Sequence, residues 1–157
     1  MIKILISLFL LTFASLGARE DYGGWAKNPY TGCNTRQEIL LTQYLKVYEK
    51  VRKCKITGLW VDFYTGEMLT EWNKIDIDHV LPVSYFDKYC RKPNASFQDL
   101  RVFYNDKDNL VITSKRENQR KGSKTKEQYA KMIADEERRK AYEEKYDLIY
   151  NKYCPRT

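Results

Sequence analysis

The chain has 157 residues, with 28 Lys and Arg against 21 Asp and Glu, four cysteines and a single histidine. That length suits one domain with a modest core, and a formal charge of +7 favours a polyanionic partner over a cationic one. No two cysteines stand in C-x-x-C spacing, which argues against a structural zinc site.

Met1-Ile2-Lys3 is a short positive start, Ile4 to Leu16 is an apolar run, and Ser15-Leu16-Gly17-Ala18 offers small residues for cleavage. This is a signal-peptide pattern, and the run falls short of the roughly 18–20 apolar residues that span a bilayer. The expectation is a signal peptide over residues 1–18 and one mature domain over 19–157, secreted or periplasmic, with no membrane attachment after cleavage. In an oxidising compartment Cys33, Cys54, Cys90 and Cys154 form two disulfides, for which three pairings exist.

Thr35-Arg36-Gln37-Glu38 fits a capping box, and Ile39, Leu40, Tyr44, Val47, Tyr48 and Val51 follow at helical spacing. They predict one helix from Thr35 to about Arg52. Such a helix separates Cys33 from Cys54 by roughly 25 Å at about 1.5 Å per residue, whereas a disulfide needs Cα atoms within about 7 Å. The Cys33–Cys54 pairing is therefore disfavoured unless the helix breaks early. Lys55 to Trp72 reads as a β-hairpin around Tyr64-Thr65-Gly66-Glu67. Lys74 to Val80 reads as a strand, with Ile75 and Ile77 on one face and Asp76 and Asp78 on the other. Pro82 should end regular pairing.

Beyond it, Arg91-Lys92-Pro93-Asn94 reads as a loop, Gln98 to Tyr104 as a short helix and Leu110 to Thr113 as a β-branched strand. Ser114-Lys115-Arg116-Glu117 is a second capping box, so a helix starts at once and stops at Gly122. Thr125-Lys126-Glu127-Gln128 opens a charged helical tail over about 125–153. Its Tyr129, Met132, Ile133, Tyr142, Tyr146, Ile149 and Tyr150 form a packing stripe.

His79 is the only histidine, and it follows Asp78 at the end of an apolar stretch. A lone histidine is more often structural than catalytic, and Asn109 and Asn118 could each be ordinary turn or surface residues. Taken together, Asp78-His79-Val80-Leu81-Pro82, Asn109-Leu110-Val111 and Asn118-Gln119-Arg120-Lys121-Gly122 resemble the HNH nuclease family, whose active site is the ββα-metal fold. Gly32 to Glu38, Cys54 to Gly66 with Trp60, Asp62 and Tyr64-Thr65-Gly66, and Ile77 to Val80 carry a closer resemblance. It is to small secreted HNH-type proteins that share a domain with the C-terminal part of some modification-dependent restriction enzymes (DUF1524-like). The resemblance covers roughly Tyr22 to Ser123 and leaves the tail outside the motif.

The resemblance implies an α+β fold. A ββα-metal core over about 74–122 is joined by an N-terminal helix, a β-hairpin and a helical tail, and is stapled by disulfides. It implies His79 as general base, Asp78 and Asn118 as metal ligands, and Asn109 as the residue that supports the loop and orients the histidine. An imidazole, with an ordinary pKa of about 6.5, suits proton transfer at neutral pH. An aspartate oxygen and an asparagine oxygen are hard ligands that favour one Mg²⁺ over Zn²⁺. Two positions where the family name has His are Asp78 and Asn118 here, which alters the metal more than the activity.

Lys121, and less strongly Arg120 and Arg116, are expected to contact phosphate, with Lys124 and Lys126 nearby; the resemblance adds Arg36 as a candidate of the same set. The expected activity is a secreted endonuclease of little sequence specificity. It acts on nucleic acid, DNA before RNA, and leaves 5′-phosphates; no protein partner is implied. The alternative is a secreted basic protein that binds nucleic acid without cutting it.

Overall fold

A computed structural model describes residues 22–154; the signal-peptide segment 1–18 lies outside them. The elements in chain order are α1 (Thr35–Thr42), β1 (Lys46–Arg52), β2 (Lys55–Val61), β3 (Met68–Leu69) and β4 (Ile75–His79). Then come α2 (Val83–Tyr85), which runs into a π-helical turn at Phe86–Cys90, and α3 (Phe97–Tyr104), β5 (Leu110–Ser114), α4 (Lys115–Lys121), α5 (Lys126–Ala130) and α6 (Glu136–Tyr153). The mixture of helix and sheet with two disulfides is the expected α+β class. Among the described residues no helix is long and apolar enough to cross a membrane.

The first helix differs from its sequence reading at both ends. The capping box lies one residue earlier: Asn34 Oδ1 accepts from the Gln37 amide and Gln37 Oε1 accepts from the Asn34 amide. The helix then stops at Thr42, and Lys46–Arg52 is a strand antiparallel to β2. Tyr44, Val47, Tyr48 and Val51 recur at helical spacing, but they are solvent-exposed on and beside a strand of β-branched and aromatic residues. Because the helix breaks early, the chain doubles back. Cys33 and Cys54 form a disulfide at a Cα separation of 5.5 Å, which reverses the disfavoured pairing.

β1, β2 and β3 form one antiparallel sheet, and β4 with β5 forms a second. In the second, Ile75 pairs with Ser114, Ile77 with Ile112, Asp78 with Val111 and His79 with Leu110. Alternation divides this two-stranded sheet between two cores. Ile75, Ile77, Leu110 and Ile112 join Ile39, Leu40, Ile56, Trp60 and Leu69 on one side. Val111 and the residues after β4, Val80 and Leu81, join Tyr64, Phe103, Tyr129, Tyr142, Tyr146 and Ile149 on the other. β5 passes straight into α4, with the Ser114 hydroxyl accepting from the Glu117 amide. Pro82 ends β4 as expected and also precedes α2, where its missing N–H costs nothing.

The helical tail is two helices. Thr125 and Gln128 close a capping box on α5, and Asp135 caps α6 afresh. Tyr129, Ile133, Tyr142, Tyr146 and Ile149 of the expected packing stripe are buried, but Met132 is only partly buried and Tyr150 is exposed. Cys154, just beyond α6, is bonded to Cys90 with Cα atoms 4.4 Å apart.

Three carboxylates lock loops and helices together. Glu38 accepts from Asn28 and Thr31 and pairs with Lys107 at 2.7 Å. Asp106 accepts from Lys152 and Tyr153, both at 2.8 Å. Glu117 holds Arg120 through two nitrogens and accepts from Tyr129. Burial would raise all three carboxyls, but the surrounding donors outweigh it and hold each below its ordinary value.

Two predictions follow from these ties. Non-reducing peptide mapping should recover Cys33–Cys54 and Cys90–Cys154, with no free thiol among the four. The loops they close, with sequence separations of 21 and 64, correspond to about 3 and about 4 kcal/mol of chain entropy. The Cys90→Ser/Cys154→Ser protein should therefore lose more stability in denaturant than Cys33→Ser/Cys54→Ser. Separately, a carboxyl lowered on folding contributes stability that is full above its unfolded value of about 4 and is lost as pH falls through the folded value. Glu117→Gln should lower Tm near neutral pH and converge with wild type in strong acid; a constant difference across the titration would contradict this.

Candidate active site

β4 presents Asp76 and Asp78 on the face that α4 covers. Asn118 and Lys121 are one helical turn apart and meet those two carboxylates, which are two strand residues apart. Asn118 Nδ2 donates to Asp76 Oδ2 at 3.2 Å, and Lys121 Nζ lies 3.0 Å from Asp78 Oδ2. Lys121 also donates to the His79 carbonyl oxygen at 2.8 Å and is only 1% exposed. Tyr64 completes the group, its hydroxyl donating to Asp78 Oδ2 at 2.5 Å. Burial, then the Asp78 charge, hold the phenol well above its ordinary pKa, so it remains a donor. Asp78 Oδ1 receives no hydrogen bond from a described residue.

Tyr64 owes its position to Asp62. That buried carboxylate accepts from the Tyr64 and Thr65 amides and, through its other oxygen, from Thr113 Oγ1 and the Ser114 amide. One side chain thus fixes the β2–β3 turn against the β5–α4 junction.

His79, buried at the end of β4, lies between aromatic rings. Trp25 stacks on it at 5.7 Å with an interplanar angle of 4°, and Tyr104 and Phe103 approach at 4.6 and 6.1 Å. Its Nε2 is 2.8 Å from the Tyr104 carbonyl oxygen. A carbonyl only accepts, so this contact places a proton on Nε2 and, in the neutral ring, the basic lone pair on Nδ1. Asn109, fully buried, accepts from the Leu81 amide at 2.8 Å and donates to the Leu81 carbonyl at 3.3 Å; its own carbonyl accepts from Val80. It therefore fixes the turn after His79 through the backbone and positions the ring indirectly. Asp78, His79 and Asn118 line one cavity of about 240 Å³, together with Trp25, Ile77, Pro82, Val83, Ser84, Tyr104 and Gly122.

The expected phosphate contacts are placed differently from their sequence reading. Lys121 is buried against Asp78 because its side chain follows the inner face of α4. Arg120 is held by Glu117 and lies over the Tyr129 ring at 6.0 Å. Arg116 is 80% exposed, pairs with Glu67 and lines a different surface depression with Lys74 and Lys115. Arg36 donates to the Ile75 carbonyl and packs on Trp72; burial lowers its pKa, and Asp76 partly opposes that. None of these four lines the Asp78–His79 cavity. Sequence reasoning also missed Tyr64, Trp25 and Tyr104 as parts of the site; Tyr64 lay within a quoted stretch, but nothing in sequence spacing ties it to Asp78.

The donors fit a single hard cation. Among the described residues there is no cluster of three or more His, Cys, Asp or Glu that could hold a metal. Asp78 and Asn118 line the same cavity and would offer one carboxylate and one carboxamide oxygen to a hard cation, leaving water and phosphate to complete an octahedron.

The polar cavity at a strand end, roofed by a capped helix in an α+β chain, is matched by a family assignment. Residues 34–155 fit the model of the C-terminal domain of GmrSD restriction endonucleases, and the chain belongs to that family. Membership gives it a nuclease-type function with nucleic acid as the substrate class. No curated protein and no solved structure matches the chain. The match runs through α5 and α6, so the tail that was expected to lie outside the motif is part of the family domain.

The burial of Lys121 makes a stability prediction. Removing one partner of a buried ion pair costs about 3–5 kcal/mol, so Lys121→Ala should shift the urea midpoint strongly. Arg116→Ala should leave it nearly unchanged, because exposed pairs contribute little. Equal effects would contradict the placement of the two side chains.

Proposed function

We propose that the protein is a secreted, HNH-type endonuclease that uses a single Mg²⁺ to hydrolyse phosphodiester bonds, with DNA of any sequence as its main substrate. The observation that carries this reading is the convergence of Asp78, His79 and Asn118 on one cavity while Tyr104 fixes the imidazole tautomer. The β4–β5–α4 unit, two antiparallel strands followed at once by a capped helix, is the order a ββα-metal core requires. Secretion or periplasmic export is supported by the apolar leader pattern and by two disulfides in a small chain.

Asp78 and Asn118 would hold the cation, which when bound would polarise the scissile phosphate and stabilise charge on the leaving 3′-oxygen. His79 accepts a proton at Nδ1 from a water as its oxygen attacks phosphorus; the P–O3′ bond breaks and the 5′-phosphate stays on the product. The Nε2–H bond to Tyr104 keeps the ring in the tautomer that can take this proton. Trp25 and Phe103 restrict the ring's rotation, and Asn109 holds the following turn. Tyr64 and Lys121 compensate the Asp78 charge on one oxygen and keep the carboxylate in place.

Plasmid nicking tests the reading. Wild type should nick with Mg²⁺ and stop with EDTA, and His79→Ala should lose roughly 10²–10⁴ in rate, the usual worth of a general base. A His79→Ala protein as fast as wild type would remove the mechanism. Binding without nicking would favour the basic binding protein instead.

A further inference from the structure

The cations expected to meet phosphate are committed to ion pairs or backbone, while another set is not. Every residue from Thr42 to Lys53 is exposed. Among the described residues β1 pairs with β2 alone, which leaves its outer edge unpaired by any of them. In the antiparallel register, Val47 and Lys50 stand opposite Gly58 and Ile56, which are buried, yet both remain exposed. The strand therefore overhangs the core and shows both faces to solvent. From Tyr44 through Lys55 there are five cations (Lys46, Lys50, Arg52, Lys53 and Lys55) and one acid, Glu49. Among the described residues none of the five is in an ion pair; Lys46 lies over the exposed Tyr48 ring at 5.6 Å. The Cys33–Cys54 disulfide ties the turn end of this ribbon to the base of α1 and pre-organises it.

We propose that the β1–β2 ribbon is a second nucleic-acid contact, outside the Asp78–His79 cavity. Lys46, Lys50, Arg52 and Lys53 meet backbone phosphates, and Tyr44 and Tyr48 offer ring faces to bases or sugars. The identity of the polyanion rests on the nuclease reading; the cationic, unpaired surface does not. Five cations against one acid complement a polyphosphate backbone, and exposed aromatic faces add sequence-tolerant stacking. Pairing of two copies through the β1 edge is disfavoured. It would set like charges side by side, and the register shifts at Val47/Glu49 and Lys50/Arg52 twist the edge.

The test uses the mature, oxidised protein. A variant carrying Lys46→Gln, Lys50→Gln, Arg52→Gln and Lys53→Gln is titrated, alongside wild type, against a labelled DNA duplex in EDTA across a salt series. The slope of log affinity against log salt should fall by about 3 to 4, at about 0.9 per lost phosphate contact, with affinity at low salt at least about 10-fold weaker. Lys46→Arg/Lys50→Arg/Lys53→Arg should keep wild-type affinity. Hydrolysis of bis(p-nitrophenyl) phosphate with Mg²⁺, too small to reach the ribbon, should be unchanged in the Gln variant. Unchanged duplex affinity and slope would overturn the proposal, as would loss of small-substrate hydrolysis in that variant. Ribbon-dependent binding to phosphatidylserine vesicles in preference to the duplex would also overturn it. Wild type that binds the duplex through the ribbon but hydrolyses nothing supports the surface and removes the nuclease reading. Active wild type with an unaffected Gln variant does the reverse.

Discussion

Lys121 is a buried ammonium, and a buried ammonium must be compensated. Its compensating groups are the Asp78 carboxylate and the His79 carbonyl, two consecutive residues at the end of β4. What keeps α4 docked on the sheet therefore also fixes the backbone and carboxylate on which the proposed chemistry depends. Tyr64 reaches the same carboxylate oxygen from the β2–β3 turn, and Asp62 pins that turn to the start of α4. Two separate stretches of chain, the β2–β3 turn and α4, close on one oxygen atom carried by a third, β4. The same residue lines the cavity, so stability and the proposed chemistry share a single carboxylate.

Much of this was legible in the sequence where local chemistry was unambiguous. Alternation of Ile75, Asp76, Ile77 and Asp78 marked β4, and Ser114 marked the start of α4; both rest on short-range geometry. The stretch from Tyr44 to Val51 was not legible, because i, i+3 and i+4 spacing of apolar residues occurs by chance on an exposed strand and says nothing of burial. The disulfide expectation depends on the same stretch: a continuous helix holds Cys33 and Cys54 apart, and the helix ends at Thr42. Asn34 and Thr35 are both good caps, and only the packing of Thr35 against Ala26 and Asn105 selects between them.

For the site, the chemically scarce residues were readable and the abundant ones were not. A single histidine beside an aspartate narrows the choice, and Asp78, His79 and Asn118 do share a cavity. Lysines and arginines near Asn118 were read by proximity in sequence, but a helix turns about 100° per residue. Lys121 consequently faces inward and Arg120 faces Glu117. A group of solvent-facing cations outside any ion pair among the described residues stands some seventy residues earlier, on the ribbon.

Cys90–Cys154 has a reach beyond loop closure. It fastens the end of α6 to the π-helical turn after α2. α6 carries Tyr142, whose ring packs edge-on against Tyr64 at 5.7 Å, and Tyr64 holds Asp78. The disulfide therefore stands behind the side chain that holds the carboxylate, linked to it through the α6 backbone and two aromatic rings. Neither sulfur lines the cavity, yet the bond braces the helix that packs on the far side of Tyr64.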